Sequence, residues 1–482
     1  MAADTGATPT IPAEVREGEY GDRVVAVEPG GAEFIPLSER HGNPLSLFWT
    51  WTSPNLEFAT VFVGVLAVAA FGQTFWQAAL AIVVGTALGS LSQGLLGSRG
   101  PLFGVPQMIQ SRIPFGFWGN ILPAGLNAVT AGIGWFAVNS VSGTLALNAL
   151  TSLPKGICLV IVVAAQIIIA YLGHNFVHAF ERIAFPVLAV AFVLAIIYVA
   201  GKAHPSATQG GGGLGGFLLT LGATFGYAAG WNPYASDYTR YFRPDVDKRA
   251  IALWSGLGVF VSCVLLETTG ALAFTAVPGD AWFSNGTSQF TSLMPTVVAD
   301  LVLLAIAIGA ISANAINIYS GTMSFLALGF RLSLTLRRAI VAVAFGAVGF
   351  VLAWTSLDDQ SRYENFLLVI AYWIGPWLGV VFTDWYLRRR HRVDGFLFDA
   401  RHNPWAGWVS MLIAGGVAIL LFSNQQQFVG FVARQNASFG DLAFEVGFVL
   451  AAGLYALFFS MQRDPTDEAL VVPSSSAPSS SP

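Results

Sequence analysis

Long apolar blocks alternate with short polar connections from residue 45 to residue 462. Ile157–Ala170, Ile183–Ala200 and Leu301–Ile311 are almost uninterrupted. About 20 apolar residues in helical conformation cross a hydrocarbon core of about 30 Å. The pattern predicts an all-α membrane protein with twelve spanning segments, numbered 1–12 in chain order. Their limits are 46–68, 71–95, 120–147, 156–173, 176–201, 216–241, 250–276, 297–328, 336–355, 364–388, 404–424 and 441–461.

Segments 1 and 6 differ from the others because turn formers interrupt their apolar runs. Segment 1 reads LFWTWTSPNLEFATVFVGVLA over 47–67, with Ser53, Pro54 and Asn55 at its centre. Segment 6 breaks at Gly230-Trp231-Asn232-Pro233. Proline removes an amide donor and clashes with the preceding turn, so a simple kink would explain either break alone. The pair says more. Breaks in segments 1 and 6 are what two five-helix repeats, 1–5 and 6–10, would produce. An odd number of crossings makes the second repeat inverted. Paired interrupted helices at matching places point to a transporter site, where freed backbone groups hold a polar solute or a cation.

Composition agrees. The chain has 482 residues, 55% hydrophobic and 10% charged, with a mean hydropathy of +0.64. A typical soluble domain carries about 25% charged residues. The net charge of −4 gives no case for nucleic acid. All but Lys155, Lys202, Arg362 and Arg434 of the 23 basic residues fall on the N-terminal side of the predicted topology. The positive-inside rule then places both termini in the cytoplasm, with the protein in the plasma or cytoplasmic membrane. The expected organisation is a cytoplasmic tail at 1–44, repeats at 45–201 and 202–390, helices 11 and 12 at 391–462, and a disordered tail at 463–482. The N-terminal stretch lacks the basic and apolar regions of a signal peptide. Cys158 and Cys263 lie in separate apolar runs and read as packing residues, not as a disulfide or a metal site.

Several polar residues inside the segments carry candidate chemistry. Trp135 and Asn139 in segment 3 are four apart and share a helix face. Segment 8 places Ser312, Asn314 and Asn317 in SANAINIYSG. Interhelical packing and hydrogen bonding would account for each alone. Together, Trp135, Trp231, Asn139 and Asn317 suit a planar heterocycle: two indoles for its faces and two amides for its rim. Carboxylates inside a membrane are costly and mark functional sites. Glu181 stands beside His174, His178 and Arg182, either in an interfacial ion pair with Arg182 or as a proton carrier. Glu57 follows the segment 1 break and can face the same cavity. Asp237 reads as a structural partner of Arg240 and Arg243. Glu267 and Glu445 have no assignment. The GGGG run at 210–213 lacks the GK[ST] ending of a phosphate loop. No hydrolase motif is present, so nothing supports an enzyme.

The motifs QMIQSRIPFGFWGN (107–120), AGIGWFAVNSVSG (131–143), HNFVHAFERIAFP (174–186), GWNPYASDYTRYFRP (230–244) and NAINIYSG (314–321) carry a resemblance. The chain resembles the nucleobase–cation symporter family, purine–cytosine permease branch, over about 45–460. The resemblance implies a leucine-transporter-type fold, ten helices in two inverted repeats plus two more. It implies ring stacking by Trp135 and Trp231, edge recognition by Asn139 and Asn317, a transport role for Glu181 and a contribution from Ser53. Gly230 and Asn314 complete the expected substrate-binding set. Two departures matter. Ile316 precedes Asn317 where branch members often have proline. Ser312, the cation-site candidate, lies between Ile311 and Ala313, where sodium-coupled relatives place two adjacent hydroxyls. The expectation is therefore a symporter that imports a nucleobase such as cytosine or a purine with a proton rather than sodium, through Glu181 or Glu57, without metal or cofactor. Its partners are the small-molecule substrate and the bilayer; the sequence gives no oligomeric state. Transport of hydantoin, allantoin, thiamine or a pyridoxine-type vitamin by the same fold, or a channel, are the alternatives.

Overall fold

The computed structural model describes residues 24, 31–207, 210–329, 346–357, 363–389 and 393–462. Most of the N-terminal tail, the C-terminal tail from 463, the first part of segment 9 (336–345) and Arg362 lie outside the described residues. Among the described residues the only β pairing is an isolated bridge between Asn424 and Val429; the rest is helix and connection.

Segment 1 is two helices, α1 (Ser46–Thr52) and α2 (Phe58–Ala69), bent by 61°. Between them Ser53–Asn55 form a 3-10 turn, and Glu57 is fully extended at φ −153°. Segment 2 is α3 (Phe75–Gly97). Segment 3 is α4 (Ile121–Val129) and α5 (Phe136–Thr151), joined by a π-helical turn, Thr130–Trp135. Segments 4 and 5 are α6 (Lys155–Leu172) and α7 (His174–Lys202). Segment 6 is α8 (Gly213–Ala229), a 3-10 turn at Asn232–Tyr234 and the short α9 (Ala235–Thr239). Segment 7 is α10 (Lys248–Ala276). A connecting helix, α11 (Trp282–Thr291), leads to segment 8, α12 (Thr296–Leu326). Then follow α13 (Gly346–Ser356), α14 (Tyr363–Leu387), α15 (Ala406–Phe422) and α16 (Ala443–Met461).

Eight described helices are long and apolar enough to cross a membrane, and the bent α1–α2 pair makes a ninth. The protein is an integral, multi-pass membrane protein. Both breaks fall where Pro54 and Pro233 remove a helical donor. The π turn in segment 3 has no proline to announce it.

Two groups of helices face each other across the site. In one, α10 packs on α2 and α3, and α3 on α8. Glycine permits the close approach: a Cβ on Gly64 would overlap the carbonyl of Glu267, and one on Gly270 that of Val61. In the other, α12 packs along α5, α6 and α7, and also reaches the segment 1 break and the π turn. Residues 31–44 lie across the N-terminal side of the bundle. The Ile35 amide bonds Gly104 O at 3.0 Å, the His41 amide bonds Tyr241 O at 2.7 Å, and the buried Arg240 donates to Gly31 O at 2.6 Å. The motif at 107–120 ties down another edge of this side: buried Arg112 donates to Leu397 O and Ala327 O at 3.0 and 2.9 Å.

Candidate functional site

The two breaks meet. Trp231, in the segment 6 break, donates its indole N–H to Asn55 Oδ1 in the segment 1 break at 2.9 Å. Asn55 Nδ2 in turn donates to Trp51 O at 2.7 Å. The Trp231 ring packs at 5.9 Å on both Trp51 and Tyr234. Gly230 lies against the other indole: a Cβ there would stand 3.2 Å from Trp135 Cζ2 and Nε1. Trp135, the last residue of the π turn, meets Tyr227 and Phe366 edge-on at 5.4 and 5.2 Å. Both indoles are buried, 6% and 7% exposed.

The amides form a single network with Asn314 at its centre. Asn314 Oδ1 accepts from Asn139 Nδ2 at 3.1 Å and from Asn317 Nδ2 at 3.3 Å. Asn314 Nδ2 donates to Phe136 O at 3.0 Å, to Gln166 Oε1 at 2.9 Å and to Ser140 Oγ at 3.3 Å. Gln166 itself donates to Ser140 Oγ at 3.0 Å. The expected Asn139 and Asn317 are thus brought together, while every polar atom of Asn314 is engaged by protein. Asn317 Oδ1 is buried with no partner. A buried acceptor left unpaired costs about 1–3 kcal/mol, and a donor from a bound solute would relieve that cost.

The expected ion-site residues also converge, in two places. Ser312 Oγ donates to Glu181 Oε2 at 2.6 Å and stands 3.5 Å from Ser53 Oγ. Glu181 is fully buried, makes no ion pair among the described residues, and its Oε1 has no partner. Its side chain therefore faces Ser312 on α12 and is not in the interfacial pair with Arg182. Glu57 is equally buried, accepts from Ser142 Oγ at 2.9 Å, and also keeps one oxygen unpartnered. Asp237 accepts from the Gln107 amide at 2.9 Å. Glu267 accepts from Thr86 Oγ1 at 2.9 Å within the α3–α10 packing.

Cavities flank the buried centre. One of about 260 Å³ lies beside Phe58, Phe62, Ser142, Tyr363 and Phe366. The other, about 480 Å³, lies on the N-terminal side against His41, Thr50, His174, His178, Arg182 and Tyr241. Aromatic rings separate each from the centre: Trp135 with Phe366 on one side, Trp51 with Tyr238 (5.4 Å) on the other. No group of three His, Cys, Asp or Glu side chains suited to a metal ion occurs among the described residues.

Sequence reasoning missed Gln166, Asn55, Tyr363 and Phe366. Gln166 had a signal, as the one amide in the run VIVVAAQIIIA. The two aromatics on α14 had none, because only the fold carries segment 10 to segment 3.

The comparisons with known proteins agree with this geometry. Residues 34–447 match the family described as permease for cytosine/purines, uracil, thiamine, allantoin. A putative purine-cytosine permease of Bacillus subtilis, YxlA, is 29% identical over 89% of this chain and 95% of its own length. The purine-cytosine permease fcyB of Emericella nidulans is 28% identical over 94% of each chain. Among solved structures, Mhp1, a nucleobase-cation-symport-1 family transporter in a closed conformation with bromovinylhydantoin bound, superposes with a TM-score of 0.70. That match covers 89% of this chain and 94% of Mhp1 at 19% identity. The fold is therefore that of Mhp1, the leucine-transporter type. The chain is a permease and not an enzyme, and its substrate is a small nucleobase-like molecule. By the extent of the family match, this chain belongs to the permeases for cytosine and purines, uracil, thiamine and allantoin.

Proposed function

We propose that the protein is a proton-coupled symporter that imports a nucleobase, cytosine or a purine, by alternating access, with both termini in the cytoplasm. The observation that carries this reading is the Asn314-centred network. It holds the amides of Asn139 and Asn317 at one site between segments 3 and 8, beside the two indoles, with one amide acceptor unsatisfied.

In this reading Trp135 and Trp231 lie on the two faces of the ring. Stacking of a base on an aromatic side chain is worth about 1–3 kcal/mol. Asn139 and Asn317 bond the rim, and Asn317 Oδ1 accepts a ring or exocyclic N–H. Asn314 positions both amides without touching substrate. Gly230 keeps backbone close to Trp135 where a side chain would intrude. Glu181 takes the proton, beside Ser312 and Ser53 and level with the segment 1 break. Ser312 stands between Ile311 and Ala313, with no second hydroxyl next to it in the chain to help complete a sodium ion's oxygen shell, which favours the proton. Coupling follows if proton and substrate favour the same conformation by differential affinity.

Binding tests the substrate class. Purified protein is titrated with radiolabelled cytosine, with adenine, hypoxanthine, uracil, hydantoin, allantoin, thiamine and pyridoxine as competitors. The proposal expects cytosine binding displaced by purines. Displacement by hydantoin or allantoin alone would keep the fold and move the substrate.

A further inference from the structure

We propose that His178 is the relay that carries the proton between Glu181 and the cavity on the N-terminal side; this rests on the proton-coupled reading above. Glu181 is fully buried and does not line that cavity. His178 is half-buried, lines the cavity, and precedes Glu181 by three residues on α7. Residues three apart share a helix face. His178 therefore lies one turn of α7 from the buried carboxyl, on the wall of that cavity.

The hydrogen bonds on α1 fix the chemistry of its ring. Thr50 Oγ1 donates its one proton to Ser46 O at 2.9 Å. His178 Nδ1 lies 3.0 Å from the same oxygen. With the hydroxyl proton already committed, Nδ1 must be the donor and Thr50 the acceptor. The neutral ring is thus held as the Nδ1–H tautomer, and the lone pair of Nε2 is free to take a proton. Nε2 is absent from the buried unpartnered atoms, as expected of a nitrogen facing the cavity.

The titratable groups that line the cavity with it are His174 and Arg182 from its own helix, His41 from the N-terminal residues, and Tyr238 and Tyr241 from α9 and the turn after it. Glu181 lies on the same helix behind the cavity wall, and Tyr319 from α12, bonded by Arg240 at 3.0 Å, packs on His174. Of these, Glu181 and His178 are the pair one helical turn apart that joins the buried serines to the cavity.

In the transfer, the O–H bond of the Glu181 carboxyl breaks and a new N–H bond forms at Nε2 through one bridging water, since Glu181 makes no hydrogen bond to the ring. Glu181 becomes a carboxylate and the ring an imidazolium that keeps Nδ1–H on Thr50. The Nε2–H bond then breaks, the proton passes to cavity water, and the neutral ring is restored.

The test separates net transport from exchange. Proton-gradient-driven uptake needs deprotonation on every cycle; exchange of labelled for unlabelled cytosine does not. A positioned acid–base side chain contributes roughly 10²–10⁴-fold to a proton transfer it carries. His178→Gln should therefore cut gradient-driven uptake by about tenfold or more, with exchange and cytosine affinity unchanged. If H178Q does not reach the membrane, Thr50→Val carries the test. It releases Nδ1 while keeping side-chain volume, and should slow uptake without slowing exchange. Uptake and exchange falling together, or uptake at the wild-type rate, would overturn the relay. Wild-type protein that exchanges cytosine but shows no proton-driven uptake would instead remove the coupling reading, and the relay with it.

Discussion

Asn314→Ala probes the centre of the site without removing any group assigned to touch substrate. The side chain accepts two hydrogen bonds and donates to Phe136 O, Gln166 Oε1 and Ser140 Oγ. Hydrogen bonds between membrane helices average about 0.6 kcal/mol by double-mutant cycles. Five such contacts give a loss of stability of about 3 kcal/mol. The effect on binding has a different origin. Without the Oδ1 acceptor, the Asn139 and Asn317 amides are free to turn and to satisfy each other. A ligand must then reorder them, at about 0.5–1.5 kcal/mol per immobilised side chain. For two amides that is about 1–3 kcal/mol, or roughly 5- to 150-fold in Kd. The assay is cytosine binding to purified N314A, with thermal unfolding in detergent run in parallel. Gln166→Ala is the control: it removes a partner of Asn314 but none of Asn139 or Asn317, so stability should fall with little change in affinity. Unchanged cytosine affinity in N314A, despite reduced stability, would refute the positioning role and leave the network as interhelical glue.

Trp231→Ala should abolish cytosine binding while the protein still inserts, and Trp231→Phe, which keeps a ring but loses the bond to Asn55, should bind measurably; equal affinity in W231A and wild type would remove the stacking model. Glu181→Gln should bind cytosine but fail to accumulate it under a proton gradient, and accumulation that still follows the gradient would clear Glu181. Gly230→Ala puts a methyl 3.2 Å from the Trp135 ring and 3.1 Å from Tyr227 O; the indole must shift by a few tenths of an ångström, so cytosine affinity should fall several-fold with little loss of expression, as read by saturation binding.

The helices were legible because the bilayer imposes one length and one polarity on every crossing. The predicted limits of segments 4, 5, 7, 8 and 12 fall within two residues of the observed helices. Pro54 and Pro233 announced the breaks, since missing donors are written in the residue type. The candidate residues could be named but not ranked. Asn314 and Asn317 are three apart on one helix with the same side chain, and only their neighbours on α5 and α6 separate a fully engaged amide from one with a free acceptor. Glu181 read equally well as an Arg182 partner or as a buried carrier, because helix rotation decides which way it points, and its bond to Ser312 shows that it points at α12. The π turn before Trp135 and the ring of Phe366 against it were not legible. One is a backbone register shift without a sequence signature, and the other is a contact between residues 231 positions apart.

Uptake of radiolabelled cytosine into liposomes bearing the purified protein tests the central claim most directly, under an imposed proton gradient and then a sodium gradient of equal size. The account predicts accumulation with the proton gradient, abolished by a protonophore and blocked by unlabelled purine, and none with sodium alone. Accumulation driven by sodium, or cytosine movement that never exceeds equilibration under either gradient, would contradict it.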